Sequence, residues 1–336
     1  MTGQVVDATT TAPVGEGFVV LLDEQGREVA RTLTAADGRF HLQAPHAGRY
    51  RLRSERIGYV AFVAPPFTLD AGQTLTHPLS VTALAVQLAA VEVTGRTTCG
   101  LDADRQERTA AVWEEVRKAL AAAVWTERQR IYRYRTVAFE RDLDESRTRI
   151  RDAVSDTQIG HAPEPFRSLP AAELVARGFI VVGADSVSYY GPDAVVLQDS
   201  SFLATHCFGL ARRSIRGVPQ IGLSFRPERR ARLSDVRGAL WLDEGTAELR
   251  SLEFNYTGVP EGVTDARIGG TVEFLRLPSG AWIIRRWELR MPRLRAQMIS
   301  GYGGAVQRRV TVQGFHDSGG EVLEIHALNG ARVYPP

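Results

Sequence analysis

The residues of this chain that could do chemistry are a few histidines, two cysteines, a group of aspartates and one lysine. His161-Ala162-Pro163-Glu164 has the His-x-x-Glu spacing that can set an imidazole and a carboxylate on one zinc ion, with His316 or His326 as a third ligand. The motif lies in a proline-rich loop, residues 160–165, and two matching residues among seven histidines is a chance-level coincidence. It therefore reads as a solvated loop. His206-Cys207 suggests a thiol beside its base, but neighbours on a strand point to opposite faces and do not meet. Ser200, Ser201, Ser224 and Ser300 lack the Gly-x-Ser-x-Gly setting of a hydrolase nucleophile. Asp185, Asp193 and Asp199 surround Tyr189-Tyr190, an arrangement open to sugar hydrolysis, although such aspartates are more often turn formers. Lysine occurs only at Lys118, inside a helical pattern. Its scarcity excludes a phosphate-binding loop ending in Lys-Ser/Thr and a Ser-x-x-Lys pair. No catalytic, cofactor or metal site is expected, and the chain reads as a non-enzyme.

Two further groups bear on binding and stability. Cys99 and Cys207 cannot make a Cys-x-x-Cys zinc site. In an oxidising compartment they are expected to form a disulfide across a loop of more than 100 residues; otherwise they are two buried thiols. Trp241, Phe254, Tyr256 and Trp287 fall on expected strands and are the candidate wall of an apolar pocket, the alternative being ordinary core. Trp282 and Trp287 are five apart, so on a regular strand only one of them faces the core or cavity. Arg212, Arg213, Arg226, Arg229, Arg230 and Arg232 make a basic segment that reads as a solvated loop.

The elements that must position these residues follow from composition and periodicity. A chain of 336 residues with 44% hydrophobic content suits about two domains with packed cores. A formal net charge of +2 gives no reason to expect a nucleic-acid partner. No apolar run is long enough for a transmembrane helix. Residues 1–95 read as short strands separated by turns every 8–12 residues, the pattern of a β-sandwich. Residues 96–128 read as a linker and an amphipathic helix with Trp113, Val116, Leu120 and Ala123 on one face, and Glu114, Glu115, Arg117 and Lys118 mainly on the others. Residues 129–336 return to β, with a short helix over residues 170–177. Hairpins are expected at residues 236–256, 270–291 and 306–327, the last turning at Asp317-Ser318-Gly319-Gly320.

The motifs Gly3-Gln4-Val5-Val6-Asp7, Pro13-Val14, Asp37-Gly38-Arg39-Phe40, Gly48-Arg49-Tyr50 and Ile57-Gly58-Tyr59 resemble a carboxypeptidase regulatory-like domain. The resemblance implies a transthyretin-like, carbohydrate-binding-like sandwich of about seven strands, which supports rather than catalyses. Val91 to Gly95 resembles the exit from such a domain in TonB-dependent receptors, but no plug and barrel follow. The segment Gly238 to Tyr256 is similar to a hairpin of periplasmic lipoprotein carriers, which are curved antiparallel half-barrels with an apolar concave face. The fold class expected is mainly β: sandwich, linking helix, then a curved antiparallel sheet or half-barrel.

These resemblances imply a cell-envelope protein, periplasmic, outer-membrane-associated or secreted. The first strand is expected to begin almost at Met1, and a signal peptide is expected to be missing from this sequence. The expected partner is an apolar small molecule, a lipid or an envelope protein. The alternative is a carbohydrate-binding or hydrolytic accessory protein.

Overall fold

The computed structural model describes residues 1–83, 103–161, 165–166, 168–182, 187–228, 233–259, 268–300 and 306–335. Two compact units emerge. One holds Met1–Glu92 with the turn segments Asp243–Glu248 and Arg276–Trp282; the other holds the rest.

The first unit is built on a strand that is apolar at every position. β2 (Phe18–Leu22) is buried throughout, as a run of Phe-Val-Val-Leu-Leu requires when strands flank it and both faces are covered. Its neighbours are β3 (Glu28–Leu33) and β5 (Gly48–Glu55), both antiparallel to it. β6 (Phe62–Val63) and β7 (Phe67–Leu69) extend β5. A second sheet carries β1 (Thr2–Asp7) between β4 (Arg39–His41) and β8 (Leu79–Val81). β1 runs antiparallel to β4 and then parallel to β8. Val5, Val19, Leu21, Phe40, Tyr50, Leu52, Leu79 and Val81 fill the space between the sheets. The expected sandwich is present.

The second unit is one large antiparallel sheet with helices on it. α1 (Ala103–Gln129) packs against β13 (His206–Ile215), β14 (Val218–Pro227) and β16 (Leu249–Thr257). Thr109, Val112, Val116, Ala119, Leu120, Ala123 and Thr126 line its buried stripe. The expected face is there, widened in a way periodicity did not suggest. Glu115 and Lys118 are also buried, and the Lys118 ammonium donates to Glu115 at 2.6 Å. A charged pair one turn apart neutralises itself, so it can sit on the packed side.

The remaining strands are β9 (Tyr132–Leu143), β10 (Ile150–Gly160), β15 (Asp235–Asp243), β17 (Gly269–Arg276), β18 (Trp282–Ser300), β19 (Val306–Ala327) and β20 (Arg332–Tyr334). The order across the sheet is β10-β9-β19-β18-β17-β16-β15-β14-β13, with β20 on β19. Between β10 and β13 the chain forms α2 (Ala171–Arg177), the two-stranded hairpin β11 (Ile180–Val182) and β12 (Val187–Tyr189), and α3 (Ser200–Thr205).

Three local expectations are corrected. The Asp317-Ser318-Gly319-Gly320 stretch is not a turn, because β19 runs straight through it. Its small residues make room instead: a Cβ on Gly319 would strike the Phe139 ring, and one on Gly320 the Trp287 ring. The arginine segment is mostly a hairpin and not a loop, with Arg212 and Arg213 on β13 and Arg226 on β14; residues 229–232 lie outside the described residues. Trp282 and Trp287 are both buried, because Trp282 groups with the first unit at a hairpin turn and Trp287 with the second.

Candidate functional site

The candidate pocket residues are placed by strand alternation. On β15 and β16, Gly238 pairs with Phe254 and Val236 with Tyr256, so Phe254 and Tyr256 share a face with Leu240 and Leu252. Their rings meet edge to face at 5.7 Å. Gly270 on β17 leaves the space the Phe254 ring occupies, since a Cβ there would lie 2.7 Å from Phe254 Cε1. The chain itself then covers both rings. Phe166 packs edge-on to Phe254 at 5.7 Å, and Tyr189 of β12 packs on Tyr256 at 5.8 Å. The Tyr256 hydroxyl donates to the Tyr190 carbonyl at 3.0 Å, and the Tyr189 hydroxyl to the Pro292 carbonyl at 3.3 Å. Phe254 is 2% exposed and Tyr256 5%. Burial pushes both phenols up, Tyr189 to about 12, so at neutral pH they are hydrogen-bond donors and not bases.

The other two candidates do not join this pair. Trp287 lies over Gly320 of β19, with β17 between its strand and β16. Trp241 pairs with Ser251, one residue out of step with Phe254, and so faces the opposite side of the sheet. There the Arg213 guanidinium lies 4.0 Å above its ring and bonds Glu253 at 2.6 Å, Ser251 at 3.1 Å and Gln220 at 2.8 Å. Trp241 is a stacking platform for a pinned arginine, not a wall beside Phe254 and Tyr256.

The reactive side chains are held in structural roles. His206 is enclosed, its ring stacked on Phe202 at 3.8 Å. Its Nδ1 donates to the Phe202 carbonyl at 3.0 Å, and its Nε2 lies 3.2 Å from Asp235 Oδ1. Cys207 is buried at the start of β13; Cys99 lies outside the described residues. His161 Nδ1 lies 3.2 Å from the Tyr132 carbonyl, and Glu164 lies outside the described residues. His316 pairs with Asp142 at 2.8 Å, and His326 approaches Glu324 at 3.5 Å, ten residues further along β19. Asp193 accepts from the Val195 and Val196 amides, and Asp199 caps α3 through the Ser201 amide. Asp185 lies outside the described residues. Among the described residues, no three His, Cys, Asp or Glu side chains gather as a metal cage.

One charged cluster was missed from the sequence. Asp317 is 0% exposed, with Arg290 bonding both its oxygens at 2.7 Å and Arg141 reaching Oδ2 at 3.0 Å. Glu288 accepts from Arg141 at 3.0 Å, completing an alternating network across three adjacent strands. The residues are 147 or more apart in sequence between β9 and the other strands, so no local spacing announces them.

The sandwich geometry and the family comparison agree on the first unit. Residues 1–83 form a carboxypeptidase regulatory-like domain. No curated protein matches the chain. Among solved structures, a 5-hydroxyisourate hydrolase from Klebsiella pneumoniae is 21% identical, with a TM-score of 0.20, covering 24% of this chain and 83% of that one. A DUF1329 family protein from Desulfovibrio piger is 10% identical, with a TM-score of 0.26, over 65% and 95%. MucB in complex with MucA is 14% identical, with a TM-score of 0.18, over 62% and 93%. Likenesses this distant carry no functional argument.

Proposed function

We propose that this protein is a non-enzymatic component of the bacterial cell envelope. Its regulatory-like domain acts as a support, and its second unit binds a protein partner. The observation that carries the reading is the filling of the apolar face. Phe166 and Tyr189 already occupy the ground over Phe254 and Tyr256. An apolar ligand there must displace the β11–β12 hairpin and break the Tyr189–Pro292 and Tyr256–Tyr190 bonds. The outside of the sheet needs no such rearrangement. Three of the reactive groups support the non-enzymatic part: Asp199 caps α3, His316 pairs with Asp142, and His206 is packed on Phe202.

The test is site-specific photo-crosslinking in cells, with the probe placed in turn at exposed positions of the second unit, alongside lipid extraction of the purified protein. The expected result is one discrete protein adduct in the envelope fraction and no stoichiometric lipid. Lipid recovered at one per chain would replace this reading with an apolar-ligand carrier. Retention on a polysaccharide panel without any protein adduct would replace it with the carbohydrate-binding alternative.

A further inference from the structure

The sheet of the second unit ends differently at its two edges. β13 is buried at its start, where α1 and α3 pack on it and Trp113 meets Phe208 at 5.8 Å, while Arg212, Ser214 and Ile215 near its end are exposed. β10 is open. All eleven of its residues are exposed, and its ladder partner is β9 on one side only. Beyond that ladder, no hydrogen bond or ion pair reaches residues 150–160 among the described residues. About half the N–H and C=O groups of such a strand point away from the sheet and can template another strand. The bulge at Ile150/Asp152, beside Arg151, is confined to the first residues of the strand. From Asp152 on the pairing is regular, there is no proline or lysine, and Val154 is 64% and Ile159 68% exposed.

The register decides what kind of strand fits. Asp152 pairs with Asp142, Val154 with Glu140, Asp156 with Ala138 and Gln158 with Thr136, so these side chains share one face. Asp142 is neutralised there by Arg293 and His316. Glu140, Asp152 and Asp156 have no ion pair among the described residues. On the other face Ala153, Ser155, Thr157 and Ile159 alternate with them; behind that row Arg141 and Arg135 are already paired, with Asp317 and Glu324. The edge therefore offers an acidic row on one face and a small, weakly apolar row on the other. A second copy pairing antiparallel would bring its own acidic row onto the same face, where like charges opposite one another destabilise.

We propose that β10 is the docking edge for an extended basic segment of the partner protein, which adds to the sheet as a further strand. The segment carries arginine or lysine at alternate positions, facing Asp152, Asp156 and Glu140, and β-branched or small residues on the other row. This rests on the partner-binding reading above and assigns its location and chemistry.

The test uses the full chain and a short fluorescein-labelled peptide alternating arginine and threonine. Amide exchange should slow at alternate residues of β10 on peptide binding. Asp152→Arg/Asp156→Arg should weaken binding by about tenfold or more and create binding to a glutamate–threonine peptide of equal length. Asp152→Asn/Asp156→Asn, a milder change for folding, should weaken binding without the swap. Equal binding by all three proteins, protection outside β10, or self-association of the chain through β10 would each overturn the assignment. A photo-crosslinked partner attached elsewhere on the second unit, with β10 silent, would overturn the edge while leaving the partner-binding reading standing.

Discussion

Asp7 closes the end of β1, where the Thr9 and Thr10 amides donate to its Oδ1 at 2.9 and 2.8 Å. These backbone bonds, Thr10 first, hold its carboxyl below the ordinary value of 3.8. A folded value below the unfolded one stabilises the domain above the ordinary value, and that contribution fades as pH falls through it. Asp7→Asn is therefore expected to flatten the acid limb of stability below about pH 4, read as urea midpoints against pH; parallel curves for the two proteins would refute this. Asp317 is held by side chains from other strands, its buried carboxylate bound by Arg141 and Arg290. Asp317→Asn leaves Arg141 and Arg290 facing a neutral group. It should cost about 2–4 kcal/mol, below the full value for a buried pair because both arginines reach solvent. Denaturant unfolding measures this, and a loss under about 0.5 kcal/mol, ordinary for a surface site, would mean the network does not hold the sheet. Asp7 entered the sequence reading only as the end of the Gly3–Asp7 motif, although its Asp-Ala-Thr-Thr sequence is a local turn pattern. Asp317 was not legible, since its partners lie on other strands.

At the scale of elements, α1 shows how tertiary context revises periodicity. The apolar stripe was readable from Val116, Leu120 and Ala123, but the helix is covered more widely than one stripe, and Glu115 and Lys118 fall inside. Lys118→Met alone should cost about 3–5 kcal/mol by leaving a buried carboxylate, whereas Glu115→Leu/Lys118→Met should restore most of the loss. Thermal or urea unfolding of the three proteins decides it, and an additive double variant would show that the two charges do not depend on each other. β19 teaches a related lesson. Asp-Ser-Gly-Gly carries every local mark of a turn, but here the glycines are the only residues that fit under Phe139 and Trp287. β10 went unread because Ile150–Gly160 has no alternating apolar row, and a strand exposed on both faces has no reason to have one.

For the whole molecule, the disulfide is the test that links sequence to compartment. If Cys99 and Cys207 are joined, denatured but unreduced protein has no reactive thiol, and reduction costs about 3–5 kcal/mol by the loop-entropy estimate. Two thiols titrating in protein isolated from the envelope under alkylation would remove both the bond and one support for the location. The sequence by itself determined the class of the chain, the regulatory-like sandwich, the long helix and the hairpins at residues 236–256 and 270–291. These rest on turns, apolar runs and short-range periods that a linear pattern carries. Only the tertiary structure decided that Trp241 and Phe254 face opposite sides, that Asp317 is buried against two arginines, and that β10 is exposed along its whole length among the described residues. Each of those depends on register and on strand order, and strands distant in sequence become neighbours without any mark in the residues between them.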